Sequence, residues 1–185
     1  MSDMNKTYGG KEFAPYISIK EIATIVKDTA NKINTYYKNI ITEENPLIIV
    51  GILNGSFMFL SDLVKHIDLH CQIHFIKVTS YEGTETTGKI TKLIGLNENI
   101  QNSNVLIVED IIDTGITINN IIDTLNKEGP ASLNICTMLY KKEKYISNPI
   151  NIEFVGKEIP DKFVIGYGLD YNKSGRQLEM IYALK

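Results

Sequence analysis

The stretch Val105-Leu106-Ile107-Val108-Glu109-Asp110-Ile111-Ile112-Asp113-Thr114-Gly115-Ile116-Thr117 decides how this 185-residue chain is read. It begins as a run of branched aliphatic residues, the composition of a strand covered on both faces. An acidic turn with three carboxylates and a Thr-Gly-x-Thr sequence follows. A helical pattern then runs from about Thr117 to Glu128 and stops at Gly129-Pro130. Gly115 permits a tight turn and close backbone approach. The hydroxyls of Thr114 and Thr117, with the N–H groups that open the helix, make a cradle for a phosphate. The Gly-x4-Gly-Lys-Ser/Thr pattern of a P-loop is absent, which argues against ATP hydrolysis of that type.

Three carboxylates beside a phosphate repel it unless something sits between them. A hard divalent cation is the natural mediator, and sugar hydroxyls are the other partners that carboxylates accept from. Phosphoribosyl pyrophosphate combines a phosphate, ribose hydroxyls and a metal-binding diphosphate in one molecule. A solvated acidic turn before a capped helix is the plainer reading, and it suits an isolated Asp-Thr-Gly better than the whole stretch.

Working outward, Leu47 to Leu53 reads as a fully buried strand ending at Asn54-Gly55-Ser56, with Phe57, Leu60, Leu63 and Val64 striping a short helix after it. Ser18-Ile19-Lys20-Glu21 has capping-box spacing and opens a helix through about residue 38, with Ile22, Ile25, Val26, Thr29, Ile33 and Tyr37 on one face. Further strands are expected at Ile73–Val78, Lys89–Leu96, Leu133–Tyr140, Ile152–Val155 and Phe163–Tyr167. Apolar strands alternating with helices imply an α/β fold, a parallel-sheet core flanked by helices. Such sheets bind ligands at the carboxyl ends of their strands. One domain is expected over 1–185, its core about 40–165, with a small hood subdomain from about 1–35 and 150–185.

With 43% apolar and 22% charged residues the chain can bury a full core without metal or disulfide staples. A net charge of −3 argues against a broad basic face and so against a nucleic-acid partner. Cys71 and Cys136 read as small buried hydrophobes in a reducing compartment. No apolar leader opens the chain and no run is long enough to span a membrane, so a cytoplasmic protein is expected. His66, His70 and His74 lack the further ligands a metal site needs.

The segment Val108 to Thr117 resembles the signature of type I phosphoribosyltransferases. Other segments narrow the resemblance to the hypoxanthine (hypoxanthine-guanine) phosphoribosyltransferase family: Gly51-Ile52-Leu53-Asn54-Gly55-Ser56-Phe57-Met58-Phe59, Ser80-Tyr81, and Glu158 to Asn172. They fall in family order over about residues 47–176. The resemblance implies transfer of the phosphoribosyl group from phosphoribosyl pyrophosphate to N9 of a 6-oxopurine, using Mg2+ and releasing pyrophosphate. It implies that Glu109 and Asp110 hold the ribose hydroxyls and the metal, with Asp170 a further metal ligand near the purine. Asp113 is implied as the catalytic acid or base near purine N7, and Asp113, Thr114, Gly115, Ile116 and Thr117 as the grip on the 5-phosphate. Lys141 matches the donor to the 6-oxo oxygen, with Lys142 and Lys144 close enough to blur the match. Phe163 matches the stacking aromatic, Val164 the backbone at the purine edge, and Leu53, Asn54, Gly55 and Arg176 the pyrophosphate contacts, with a non-proline cis peptide in that loop. Ser80 and Tyr81 match the mobile loop that closes over the reacting centre.

The sequence departs from the family at Asn54, where many members carry Lys or Arg. It departs again at Ile116, a lysine in some members, and at Lys173-Ser174-Gly175, which lacks an aromatic some members have. A homodimer or homotetramer is the assembly the family implies. A regulatory protein sensing phosphoribosyl pyrophosphate or nucleotides on the same fold is the competing reading. It needs a basic face or an added nucleic-acid-binding domain, which the 19 Lys+Arg against 22 Asp+Glu and the chain length disfavour. Lys141 disfavours adenine, which offers an amino donor in place of the 6-oxo acceptor.

Overall fold

The computed structural model describes residues 4–79, 92–95 and 98–185. Lys6–Tyr8 (β1) and Lys11–Ile17 (β2) form an antiparallel hairpin. Its turn is Gly9-Gly10, both at positive φ, which matches the twist of the paired strands. Ser18 caps Ile19–Tyr37 (α1), its hydroxyl accepting from the Glu21 N–H at 3.2 Å. In chain order there follow Leu47–Leu53 (β3), Phe57–Val64 (α2), Cys71–Thr79 (β4), Lys92–Ile94 (β5), Asn104–Ile112 (β6), Ile116–Asn126 (α3), Ser132–Tyr140 (β7), Phe154–Glu158 (β8), Val164–Ile165 (β9) and Ile181–Leu184 (β10).

Six strands make the main sheet in the order β5-β4-β3-β6-β7-β8, parallel throughout except at edge strand β5. Strand periodicity sorts its side chains between two helical layers. Leu47 and Ile49 of β3, Leu106 and Val108 of β6 and Cys136 and Met138 of β7 pack with Ile22, Val26, Ile33 and Tyr37 of α1 and with Phe59, Leu60 and Leu63 of α2. The alternate residues Ile48, Val50, Val105, Ile107 and Ile135 pack with Ile118, Ile121 and Leu125 of α3. This is the α/β architecture that buried strands alternating with helices implied. No described helix is long and apolar enough to cross a membrane.

The smaller sheet runs β1-β2-β10-β9 and has its own core of Phe13, Ile165, Met180 and Tyr182. The sequence placed α1 with the hood; it packs on the main sheet instead. Its apolar face reaches that layer, the Tyr37 hydroxyl accepts from Asn134 Nδ2 of β7 at 2.8 Å, and Gly156 of β8 lets Ile25 come close. The hairpin and β10 were not foreseen. Pro15 cannot donate to a ladder, and it sits opposite Tyr182 where the β2–β10 register shifts. Strand β8 begins two residues later than expected, and β9 is only Val164–Ile165, because the chain turns at Gly166, at φ 95°.

Candidate active site

The carboxyl ends of β3, β6 and β7 meet the second sheet, and the functional side chains gather there. Strand β6 continues through the acidic pair: Glu109 pairs with Thr137 and Ile111 with Leu139 of β7. The acidic turn read from sequence therefore starts later, after Ile112, and Glu109 and Asp110 are held by the sheet ladder. Burial pushes the Glu109 carboxyl well above its ordinary range, and the Asp110 charge adds to the push. Burial raises Asp110 too, against the hydrogen bond it shares with Glu109, the Ile111 N–H at 2.8 Å and the charge of Arg176. Glu109 Oε2 is buried with no hydrogen-bond partner among the described residues. Two buried carboxyls and an orphaned oxygen fit a hard divalent ion, which is often held by one or two carboxylates together with substrate phosphates and water. Among the described residues no three acids, histidines or cysteines converge on a closed metal cage.

Thr114, Gly115 and Thr117 line a cavity of about 110 Å³ with Glu109 and Asp113. Gly115, at φ 83°, is the residue from which α3 starts, so the helix's first N–H groups face this cavity's edge. A Cβ on Gly115 would lie 2.1 Å from the Tyr145 ring, so the phosphate turn and the Lys142–Lys144 turn after β7 pack directly together. Tyr145 is fixed from both sides: its hydroxyl accepts from Asn119 Nδ2 at 2.6 Å and donates to the Asn148 carbonyl at 2.7 Å. Ile116 is half exposed and only its backbone belongs to the turn.

Asp113 and Lys141 meet. Lys141 is 4% exposed, and its Nζ lies 3.1 Å from Asp113 Oδ2 and 3.0 Å from Asp161 Oδ1. Lys144 Nζ reaches the same two oxygens at 3.1 and 3.3 Å. The four side chains close an alternating ring of charge. The second oxygen of Asp113, Oδ1, is buried and unpartnered among the described residues. The Lys141 hydrogen bond, with Lys144 assisting, holds Asp161 below the usual carboxylate range, and Asp113 and Asp161 together raise Lys144. Asp161 and Lys144 were missed as site residues in the sequence. Lys144 stood in an ambiguous cluster, while Lys142 proves to be the solvated one, 4.0 Å from Glu158.

The Leu53-Asn54 peptide is cis. Gly55 is backed by Asp110: a Cβ there would fall 1.5 Å from Asp110 Oδ2. Gly168 lies against the Gly55 carbonyl, and Arg176 Nη1 donates to the Gly168 carbonyl at 2.6 Å. Arg176 Nη2 also pairs with Asp170 Oδ1 at 2.5 Å, while Asp170 Oδ2 accepts from the Lys173 N–H at 2.6 Å. Both Asp170 oxygens are thus engaged inside the protein. Asn54 is exposed. Phe163 is 46% exposed and rests edge-on against Tyr171, ring centres 5.7 Å apart, with Phe13 at 6.3 Å. Val164 is buried and pairs with Ala183 of β10. Ser80 and Tyr81 lie outside the described residues.

A phosphoribosyl transferase domain pattern matches residues 17–172. The chain is 44% identical over 170 residues to the hypoxanthine-guanine phosphoribosyltransferase of Staphylococcus epidermidis, covering 91% of this chain and 92% of that one. It is 43% identical over 166 residues to the hypoxanthine phosphoribosyltransferase of Buchnera aphidicola, covering 89% and 92%. Among solved structures, the Trypanosoma cruzi hypoxanthine phosphoribosyl transferase superposes with a TM-score of 0.87 at 34% identity, over 97% of this chain and 94% of that one. The hypoxanthine-guanine phosphoribosyltransferase of Bacillus anthracis superposes with a TM-score of 0.81 at 35% identity, over 92% and 96%.

Proposed function

The chain belongs to the hypoxanthine-guanine phosphoribosyltransferase family, and on that premise we propose that it moves the 5-phosphoribosyl group of phosphoribosyl pyrophosphate onto N9 of hypoxanthine, and of guanine, releasing pyrophosphate. The observation that carries the 6-oxopurine assignment is Lys141, a buried cation at the end of β7, held by Asp113 and Asp161. A buried ammonium is a donor only, so it selects an oxo group over an amino group at that corner of the base. Phe163, with one ring edge packed and nearly half its surface open, supplies the stacking face, and the buried Val164 the backbone at the purine edge.

Glu109 and Asp110 would hold the ribose hydroxyls and Mg2+, the orphaned Glu109 oxygen being the atom left for a ligand to complete. Magnesium, when bound, neutralises the diphosphate and makes it a better leaving group. The N–H groups of the turn from Asp113 to Thr117, with the two threonine hydroxyls, grip the 5-phosphate. Leu53, Asn54 and Gly55 present backbone donors to pyrophosphate. Arg176 adds a guanidinium fork if its pairing with Asp170 opens, and the same opening frees Asp170 for metal or purine. As C1 of the ribose gains positive charge, the ionised acids around it stabilise that charge. Asp113 then serves as the acid or base at purine N7.

The test is direct. Protein, Mg2+ and phosphoribosyl pyrophosphate are mixed with hypoxanthine, guanine, xanthine or adenine in turn, and nucleotide formation is followed. Turnover with hypoxanthine and none with adenine is the expected result. No turnover with any 6-oxopurine, with phosphoribosyl pyrophosphate still bound, supports the regulatory reading instead. Half-exposed Ile73 and Phe75 on β4 are compatible with a homodimer or homotetramer, which sedimentation reads.

A further inference from the structure

The ring Asp113–Lys141–Asp161–Lys144 holds one more cation than base recognition uses. If Lys141 turns its ammonium toward a 6-oxo oxygen, its two carboxylate contacts at 3.1 and 3.0 Å weaken together. Lys144 bridges the same two oxygens at 3.1 and 3.3 Å and points from a different place, the turn directly after Lys141. That turn is not free to drift: the Lys144 N–H donates to the Lys141 carbonyl at 3.0 Å, and Tyr145 is wedged against Gly115 of the phosphate turn. We propose that Lys144 is a positioning residue for Asp113, keeping its carboxylate aimed while Lys141 is withdrawn to the purine. The proposal rests on the transferase reading and assigns Lys144 no contact with substrate.

The charged groups facing Asp113 are Lys141 and Lys144 from the segment after β7, Asp161 through those lysines, and Glu109 across the shared cavity. With Lys141 engaged by the base, Lys144 is the cation left to oppose Glu109 and Asp161. Removing it leaves Asp113 facing those acids with no cation in contact, so the acid limb of the rate profile moves to higher pH.

The experiment compares wild type, Lys144→Met and Lys144→Arg, each checked by thermal melting, across pH with hypoxanthine, Mg2+ and phosphoribosyl pyrophosphate. Lys144→Met should lower kcat about tenfold with little change in the KM for either substrate, and shift the acid limb upward as stated. Lys144→Arg should restore most of kcat and return the limb. An unshifted limb, a loss confined to KM, or failure of arginine to rescue a normally folded protein overturns the proposal. In parallel, the Asp113 carboxyl carbon is titrated by NMR in the same proteins, with Lys141→Met as background. A raised Asp113 titration on losing Lys144 supports the proposal even where no purine turns over, and an unchanged one overturns it. Absent turnover in the wild type counts against the transferase reading alone.

Discussion

Glu109 and Asp110 on one side, and Asp113 with Asp161 on the other, answer the same difficulty of gathering acids in opposite ways. The first pair is buried at the end of β6 and pushed toward protonation, and among the described residues no lysine or arginine is in salt-bridge contact with it, the charge of Arg176 acting on Asp110 without direct contact. The second pair brings its own cations, Lys141 and Lys144, and Asp161 is held in its ionised form. On the proposed assignment, one half of the site is left short of positive charge and is completed by what it binds. The other half is balanced beforehand and has to be opened by what it binds.

The hardest blow to this contrast is Asp113→Ala. It should lower kcat about 10²–10³-fold while phosphoribosyl pyrophosphate binding, read by calorimetry, stays near its wild-type strength. Equal loss in both would place Asp113 with the ligand-completed half. Next comes Gly55→Ala, whose methyl would fall on Asp110 Oδ2. Displacing that carboxylate should weaken joint binding of Mg2+ and phosphoribosyl pyrophosphate about 100-fold, with purine recognition by Lys141 much less affected. Full binding by a folded Gly55→Ala protein would detach the loop from the acidic pair.

The pH response sharpens the contrast further. Acids whose folded pKa is raised bind more protons folded than unfolded, so they cost stability as pH rises from their unfolded range through their folded one. A divalent ion needs the same acids deprotonated. The gain in Tm on adding Mg2+ with phosphoribosyl pyrophosphate should therefore be greater at pH 7.5 than at pH 5.5, with apparent affinity falling about tenfold as pH drops across that interval. A pH-independent gain would show the pair to be ionised without a ligand. The smallest effect is expected at Asn54→Lys. It adds a cation at the exposed tip of the pyrophosphate loop, and product inhibition by pyrophosphate should tighten about threefold to tenfold. Unchanged inhibition would show that the side chain at position 54 does not reach pyrophosphate.

What could be read in the sequence tracks how local each feature is. The β6 stretch and its turn are contiguous, so spacing alone exposed Glu109, Asp110, Asp113 and the Gly115 bend. Buried strands such as Leu47–Leu53 announce themselves by composition, and Ser18 with Glu21 marked the start of α1 within one residue. The charge ring was illegible because Asp161 lies 20 residues from Lys141 and no spacing says that the two side chains meet. Only the fold brings them together. The hairpin before α1 did leave a sign, Gly9-Gly10 between Tyr8 and Lys11, but Pro15 disguised the second strand, and the register shift that accommodates it is a property of β10.

Strand β10 runs between β2 and β9, and its Leu184 N–H donates to the Phe163 carbonyl at 2.9 Å. Phe163, the proposed stacking face, is thus fastened by residues that leave the ribosome after everything else in the candidate site. Every strand of the main sheet, and the turn after β6, precedes β10 in the chain. On the proposed assignment, the residues that would grip the sugar phosphate are therefore all made before the strand that fastens the face offered to the purine.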